Sequence, residues 1–489
     1  MNGKLKGIIA CIALVICLGG ALTVLKLTDK NNTDDNSETV SSTTESQAEK
    51  IMLTDYSAED ILSVNISNKY GEFAVEKPSS GKTAWTIELL EGLNQSISEE
   101  TSLVEDAAQL EAKKTVEENA EDLSKYGFDN PQGTFTVNLA DGTKKTFVVG
   151  DNLPEETKYC YVKEQNSDVI YSTLANNVKR FLSDKKDFLN KTLLASPDEE
   201  EEVYGTLTVQ RSELKRDMVF TDDPNVDSSM MSAQVMISPI YSYLNGTVSA
   251  DTTHGLWGLS AESAEVIFPK AADLKKYGID KPTATVLYSG NGNDYKLRIG
   301  NPIYETDSQG NETTVVGAHY CYLEGVEGLD CIWVVSADSL PWTTVIPEDI
   351  ITSVMTYNDI LTVDNIIVKS GSDTTIYGVE SDDTNVTSAK IDGKETDVDQ
   401  FKSFYQYILT CPTSEIYSED PKGDCFLSIE IKAGKGGDKL EFFKDSTTER
   451  KAVVKLNGVT SFRIPIKWTE KFVKNISLLS EGKEVEESY

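Results

Sequence analysis

DLSKYGFDNP at residues 122–131 and DLKKYGIDKP at residues 273–282 decide how this chain is read. Seven of the ten positions agree between the two stretches. The likeness extends downstream in order as well as in composition. TFTVNLADGTKKTFVVGD at 134–151 corresponds to TATVLYSGNGNDYKLRIGN at 283–301, KYCYV at 158–162 to HYCYL at 319–323, and VIYSTL at 169–174 to CIWVVS at 331–336. Ordered self-similarity over such a distance is the signature of an internal duplication.

The local physics of one copy follows from its residues. Leu103, Ala107 and Leu110 recur at helical spacing on a short acidic stretch. Gly127 and Gly278 sit where a left-handed residue ends a helix, after Lys125 and after Lys275 and Lys276, and Pro131 and Pro282 prevent continuation. Phe135, Val137 and Leu139 then alternate with polar residues as in a half-buried strand, Asp141-Gly142 marks a hairpin turn, and Phe147 to Val149 return. Tyr159 and Tyr161 share one face of a third strand with Cys160 on the other, Val169 to Tyr171 make a fourth, and Leu174 to Leu182 read as a closing helix.

A diverged third copy is expected after residue 351. Phe401, Tyr405 and Ile408 mark a helix, Leu427, Ile429 and Ile431 alternate as a strand, and further strands at 440–443, 452–456 and 462–464 precede a helix over 467–479. Extended segments at 61–66, 203–209 and 360–368 open the copies. The expected fold is therefore α+β: an N-terminal transmembrane helix followed by three tandem units, each an antiparallel sheet with helices on one side. The boundaries are a cytoplasmic tip and anchor at 1–27, a disordered linker at 28–50, and units at 51–197, 198–350 and 351–489.

The Tyr-Gly-[Phe/Ile]-Asp-x-Pro stop, the strand after it, the Val-Gly-Asp or Ile-Gly-Asn turn and the Tyr-Cys-Tyr strand together resemble the domain of unknown function 4340 family. The resemblance covers roughly residues 55–345 and is weak in the third copy. It implies a membrane-anchored bacterial protein acting outside the cytoplasm, often encoded beside ABC-type transporter permeases and gliding-motility-like components. It carries no catalytic or ligand-binding residues. Tyr126, Gly127, Asp129 and Pro131, with Tyr277, Gly278, Asp280 and Pro282, read as structural signature residues.

Residues 7–25 are uncharged, a run that as a helix spans roughly 28 Å, near the thickness of a bilayer core. Lys4 and Lys6 precede it, so a signal anchor with a cytoplasmic N-terminus and an extracytoplasmic bulk is expected, a cleaved signal peptide being the alternative. Residues 28–50 hold too few aliphatic side chains to offset chain entropy and read as a tether. The formal net charge of −34 excludes nucleic acid as a partner, because backbone binding rests on clustered basic residues.

Chemistry-bearing motifs fail on their own terms. Gly81-Lys82-Thr83 ends like a phosphate loop but Glu76 stands at its leading glycine, and Gly434 to Gly437 lies between strands. Ser183 to Lys186 and Ser212 to Lys215 match S-x-x-K without companion motifs. His319 and His254 are the two histidines, too few for a zinc site of three or four ligands, and Asp307, Asn311 and Glu312 read as a polar loop without calcium spacing. Five cysteines lie beyond the apolar run, an odd count that favours buried thiols over a disulfide framework. No cofactor, metal or catalytic residue is expected. The Tyr159/Tyr161 and Tyr320/Tyr322 pairs are the first place to look for a binding face, since aromatic ledges stack on sugars or anchor peptides. The expected function is that of a non-catalytic interaction protein accessory to an ABC-type transport or surface-assembly complex. A binding module for wall glycan or peptide is the alternative.

Overall fold

The alternation around Phe135, Val137 and Leu139 does what period-two patterning dictates. Strand Gly133–Leu139 buries these three side chains on one face and turns Thr134, Thr136 and Asn138 outward. The computed structural model that shows this describes residues 51–78, 84–196, 205–223, 226, 234–253, 256–290, 292–434 and 436–489. Residues 51–489 form one compact unit.

Besides a two-stranded sheet pairing Ile51–Met52 with Glu111–Ala112, three larger antiparallel sheets follow one another along the chain. In the first, strands run in the order 71–76, 61–68, 133–139, 144–152, 159–164, 170–174, 114–117. The opening strand Ile61–Asn68 pairs with its own hairpin partner on one side. On the other side it pairs with Gly133–Leu139, placing Val64 opposite Val137 and Ile66 opposite Phe135. The second sheet has nine strands in the order 242–243, 234–238, 218–222, 206–211, 284–290, 293–306, 312–324, 331–336, 263–267. The third has eight, in the order 394–395, 386–391, 373–381, 363–370, 425–433, 439–444, 451–456, 459–465. All three share one plan. An opening strand is flanked by its hairpin and by the first of four consecutive meander strands, and a short segment from between them closes the far edge. That segment is Lys114–Glu117 in the first sheet and Ser263–Ile267 in the second; in the third, an isolated bridge from Ile416 to Phe462 occupies the place.

Helices cover the buried faces. Helix Ile97–Ala108 turns Leu103, Val104, Ala107 and Ala108 inward, the i, i+1, i+4, i+5 stripe of an amphipathic helix. Helices Val398–Leu409 and Ile466–Ser480 stack Tyr407, Trp468 and Phe472 in a ladder with ring centroids 5.3–6.3 Å apart.

The helical content is smaller than the sequence suggested, and the α+β expectation is corrected. Strands make up 42% of the residues against 21% helix, so the fold is mostly β-sheet. The physical reason lies in the glycine stops. They end a single 3₁₀ turn at Leu123–Tyr126 and a six-residue helix at Ala271–Lys276, and 174–182 holds only a four-residue helix followed by another 3₁₀ turn. A stop signal fixes where a helix ends and carries no information about its length.

The expectation of a single-pass membrane protein with a transmembrane signal anchor is likewise corrected. Among the described residues no helix is long and apolar enough to cross a membrane. The run at 7–25 and the tether at 28–50 lie outside the described residues.

The joints between sheets are built differently. Between the first and second, backbone pairs dominate: Leu193 and Gly258 donate to the carbonyls of Leu259 and Leu194, each at 2.8 Å, and Ala261 donates to Lys191. Between the second and third, buried Asp438 accepts from Tyr243 Oη (2.5 Å), Thr356 Oγ1 (2.6 Å), Asn358 Nδ2 (2.7 Å) and Asn457 Nδ2 (3.0 Å). Those donors come from the second sheet, the connector and the third sheet, so one carboxyl ties all three. Burial raises the Asp438 pKa and the four donors oppose that rise.

Candidate functional site

The signature residues form an interlock on the outer faces of the first two sheets. Gly127 and Gly278 adopt φ of 77° and 74°, and the chain closes identically beyond them: Phe128 N–H donates to Leu123, and Ile279 N–H to Leu274. A side chain cannot be added here. A Cβ on Gly127 would lie 2.4 Å from the Asp151 carboxyl carbon, and one on Gly278 2.2 Å from Asn301 Oδ1. The glycines expected to make turns instead sit inside strands, at register shifts, and answer in kind: a Cβ on Gly150 or Gly300 would stand 2.1 or 2.3 Å from the carbonyl of Tyr126 or Tyr277. The Tyr126 hydroxyl donates to Glu117, and that of Tyr277 to Glu265 at 2.7 Å, so each stop is tied to its sheet's closing edge strand. Asp129 and Asp280 are exposed, Pro131 is exposed and Pro282 half-buried.

The tyrosine pairs meet this interlock. Tyr161 packs edge-on against Tyr126 at 4.9 Å, and Tyr320 lies tilted against Tyr277 at 4.5 Å. Tyr159 is buried. Tyr322 donates to Asp330 at 2.7 Å and lies under the Arg298 guanidinium at 5.1 Å. Tyr277, Ile279 and Ile332 form a small apolar cluster against which Tyr320 and Tyr322 rest. These rings pack laterally on their own sheets.

Two surface features remain that no sequence motif announces. The first is an arm. Strands Asn293–Thr306 and Glu312–Glu324 run beyond their neighbours: pairing with 284–290 ends at Ile299, and pairing with 331–336 begins at Ala318. Among the described residues, strand pairing along 302–306 and 312–317 is confined to the hairpin itself. Tyr304 is 40% and Val315 54% exposed, so apolar side chains stand on an open ribbon. Its tip is ordered by Asp307, whose carboxylate accepts from the backbone of Asn311 (2.8 Å) and Gln309 (2.9 Å), and the Asn311 hydrogen bonds lead in holding its pKa low. The residues read as a polar loop are this tip.

The second feature is a groove of about 1000 Å³ where the second and third sheets meet. One wall is Asn245 to Thr247 at the start of helix Gly246–Thr253; the others are Glu348, the 351–353 connector, Tyr357 and residues 412–416. Thr413 Oγ1 donates to the Thr352 carbonyl at 2.6 Å, which fixes the connector against the third sheet. Glu415 accepts from Lys451 and Arg463, and the Lys451 hydrogen bond leads in holding its carboxyl below the usual range. The lining offers carboxylates, hydroxyls and a phenol ring, groups suited to holding a polar ligand.

The other candidates are absorbed by structure. His319 is buried with Nδ1 3.2 Å from the Gly300 carbonyl, and burial lowers its pKa, keeping the ring neutral. His254 and Gly81-Lys82-Thr83 lie outside the described residues. Ser183 Oγ donates to Lys179, while Lys186 Nζ reaches the Glu265 carbonyl, so that S-x-x-K pair is not joined. Cys160, Cys321, Cys331 and Cys411 are buried free thiols, and burial pushes Cys160 and Cys331 up to about 12. Among the described residues no group of three or more His, Cys, Asp or Glu side chains could hold a metal ion.

The family model described as Domain of unknown function (DUF4340) matches residues 85–230, which supports the resemblance to that family. The match holds Tyr126, Gly127, Asp129 and Pro131 and extends past strand Met218–Asp222 of the second sheet. No curated protein and no solved structure matches the chain.

Proposed function

We propose that this is a non-catalytic interaction protein, which serves by contact with a partner. The observation that carries the reading is the arm. The first and third sheets complete the same strand plan with short connections at 153–158 and 445–450, so the fold does not require residues 302–316. A ribbon with unpaired edges, added outside the shared plan, is a device for meeting another chain. The family's resemblance-based company points to an ABC-type permease or a surface-assembly component as that partner. Affinity capture of the full chain from its own cells, with detergent-solubilised membranes, is expected to recover permease subunits in near-stoichiometric amounts. Repeated recovery of the chain alone contradicts the reading.

The groove favours a second reading, a module that binds glycan or peptide. Thermal-shift titration with wall glycan fragments is expected to raise Tm for the native chain and not for Glu415→Ala. The absence of any shift in the native chain removes this reading.

A further inference from the structure

We infer that the outer edge of Thr313–Val316 accepts an extended, basic segment of the partner as an added strand. The inference rests on the reading of the protein as an interaction protein and names how its arm would act. Two-stranded ribbons are marginal by themselves in water, and a third strand stabilises them by supplying ladder bonds on the open side. The two edges of the arm are not equivalent. Pro302 removes a donor from the 302–306 edge. Thr313-Thr314-Val315-Val316 carries neither proline nor charge and consists of β-branched residues, which suit a pleated strand. The Val315 N–H donates to its neighbour Thr313 Oγ1 at 3.1 Å, a local hydroxyl that an incoming carbonyl can replace, while the facing strand pairs at Val316. Main-chain bonds of this kind supply affinity, and the side chains around them select the partner.

Charge states which partner. From Gly300 to Glu324 the chain has no lysine or arginine, and Glu305, Asp307 and Glu312 flank the edge. None of these three carboxylates forms an ion pair among the described residues. A second copy of this chain brings like charge to the same place, so a lysine- or arginine-bearing strand is the complementary occupant.

The test uses the full chain and a fluorescent twelve-residue peptide of alternating lysine and valine, with a glutamate–valine peptide as its counterpart. Anisotropy titration is expected to show binding of the lysine peptide only. Val315→Pro, which deletes an N–H outside the hairpin ladder, is expected to weaken it at least tenfold. The double variant Glu305→Lys/Glu312→Lys is expected to weaken it at least tenfold at low salt, and it keeps the test decisive where the proline variant fails to fold. Absent binding to the native chain, equal binding to both peptides, or equal binding to the native and double-variant chains overturns the inference. Recovery of a permease alongside such a result leaves the interaction reading standing and places the contact elsewhere.

Discussion

The second and third meander strands of the first sheet and their counterparts in the second occupy the same position in the same strand order, yet one pair stops and the other continues. Lys144–Asn152 and Tyr159–Glu164 turn back through a six-residue connection. Asn293–Thr306 and Glu312–Glu324 run on into a ribbon. Below that point the two hairpins are held alike, each by a strand glycine lying against the carbonyl of a stop tyrosine. What they share is therefore the requirement of the fold, and what only one has is available for function.

Breaking the shared part gives the largest effects. Gly150→Ala and Gly300→Ala each force a Cβ into a backbone carbonyl, and each is expected to cost about 2–4 kcal/mol in denaturant unfolding. Unequal costs would show that the two interlocks are not the same device.

Glu100 distinguishes the sheets next. It stands on the buried face of helix Ile97–Ala108 with neither carboxylate oxygen hydrogen-bonded, whereas helix Gly246–Thr253 buries Ser249, Thr252 and Thr253. Burial pushes Glu100 up to about 8, from 4.5 in the unfolded chain. The raised pKa means that the unfolded state releases its proton first. Stability is thus intact below about pH 4.5 and falls as pH rises toward 8. Glu100→Gln is expected to match the native chain at pH 4.5 and exceed it by about 1–3 kcal/mol at pH 8, read from denaturant midpoints at the two pH values. A gain independent of pH contradicts this account.

Smaller effects sharpen the comparison. Tyr126→Phe and Tyr277→Phe each remove one hydrogen bond to a glutamate and are expected to cost about 1 kcal/mol. Replacing 302–316 by a connection as short as 153–158 is expected to change unfolding free energy by less than about 0.5 kcal/mol. A larger loss would make the arm part of the fold.

Much of the scaffold was legible because it rests on local rules. Phe135, Val137 and Leu139 announce a half-buried strand, and Gly127 with Pro131 announces a stop. Helix length was not legible, since the same stop closes one turn or several. The arm escaped because Asp307, Gly310 and Asn311 have loop composition, while Ile303, Tyr304, Val315 and Val316 are interrupted by bulges that break the two-residue period. The groove escaped for a different reason. Asn245, Tyr357 and Glu415 belong to three separate stretches that become neighbours only when the second sheet meets the third.

The most direct measurement is parallel capture by the native chain and by a full chain with its arm shortened, after equal stability has been shown for both. The native chain is expected to bring down permease subunits and the shortened one to lose them. Equal recovery by both would contradict the claim that this protein works through the arm.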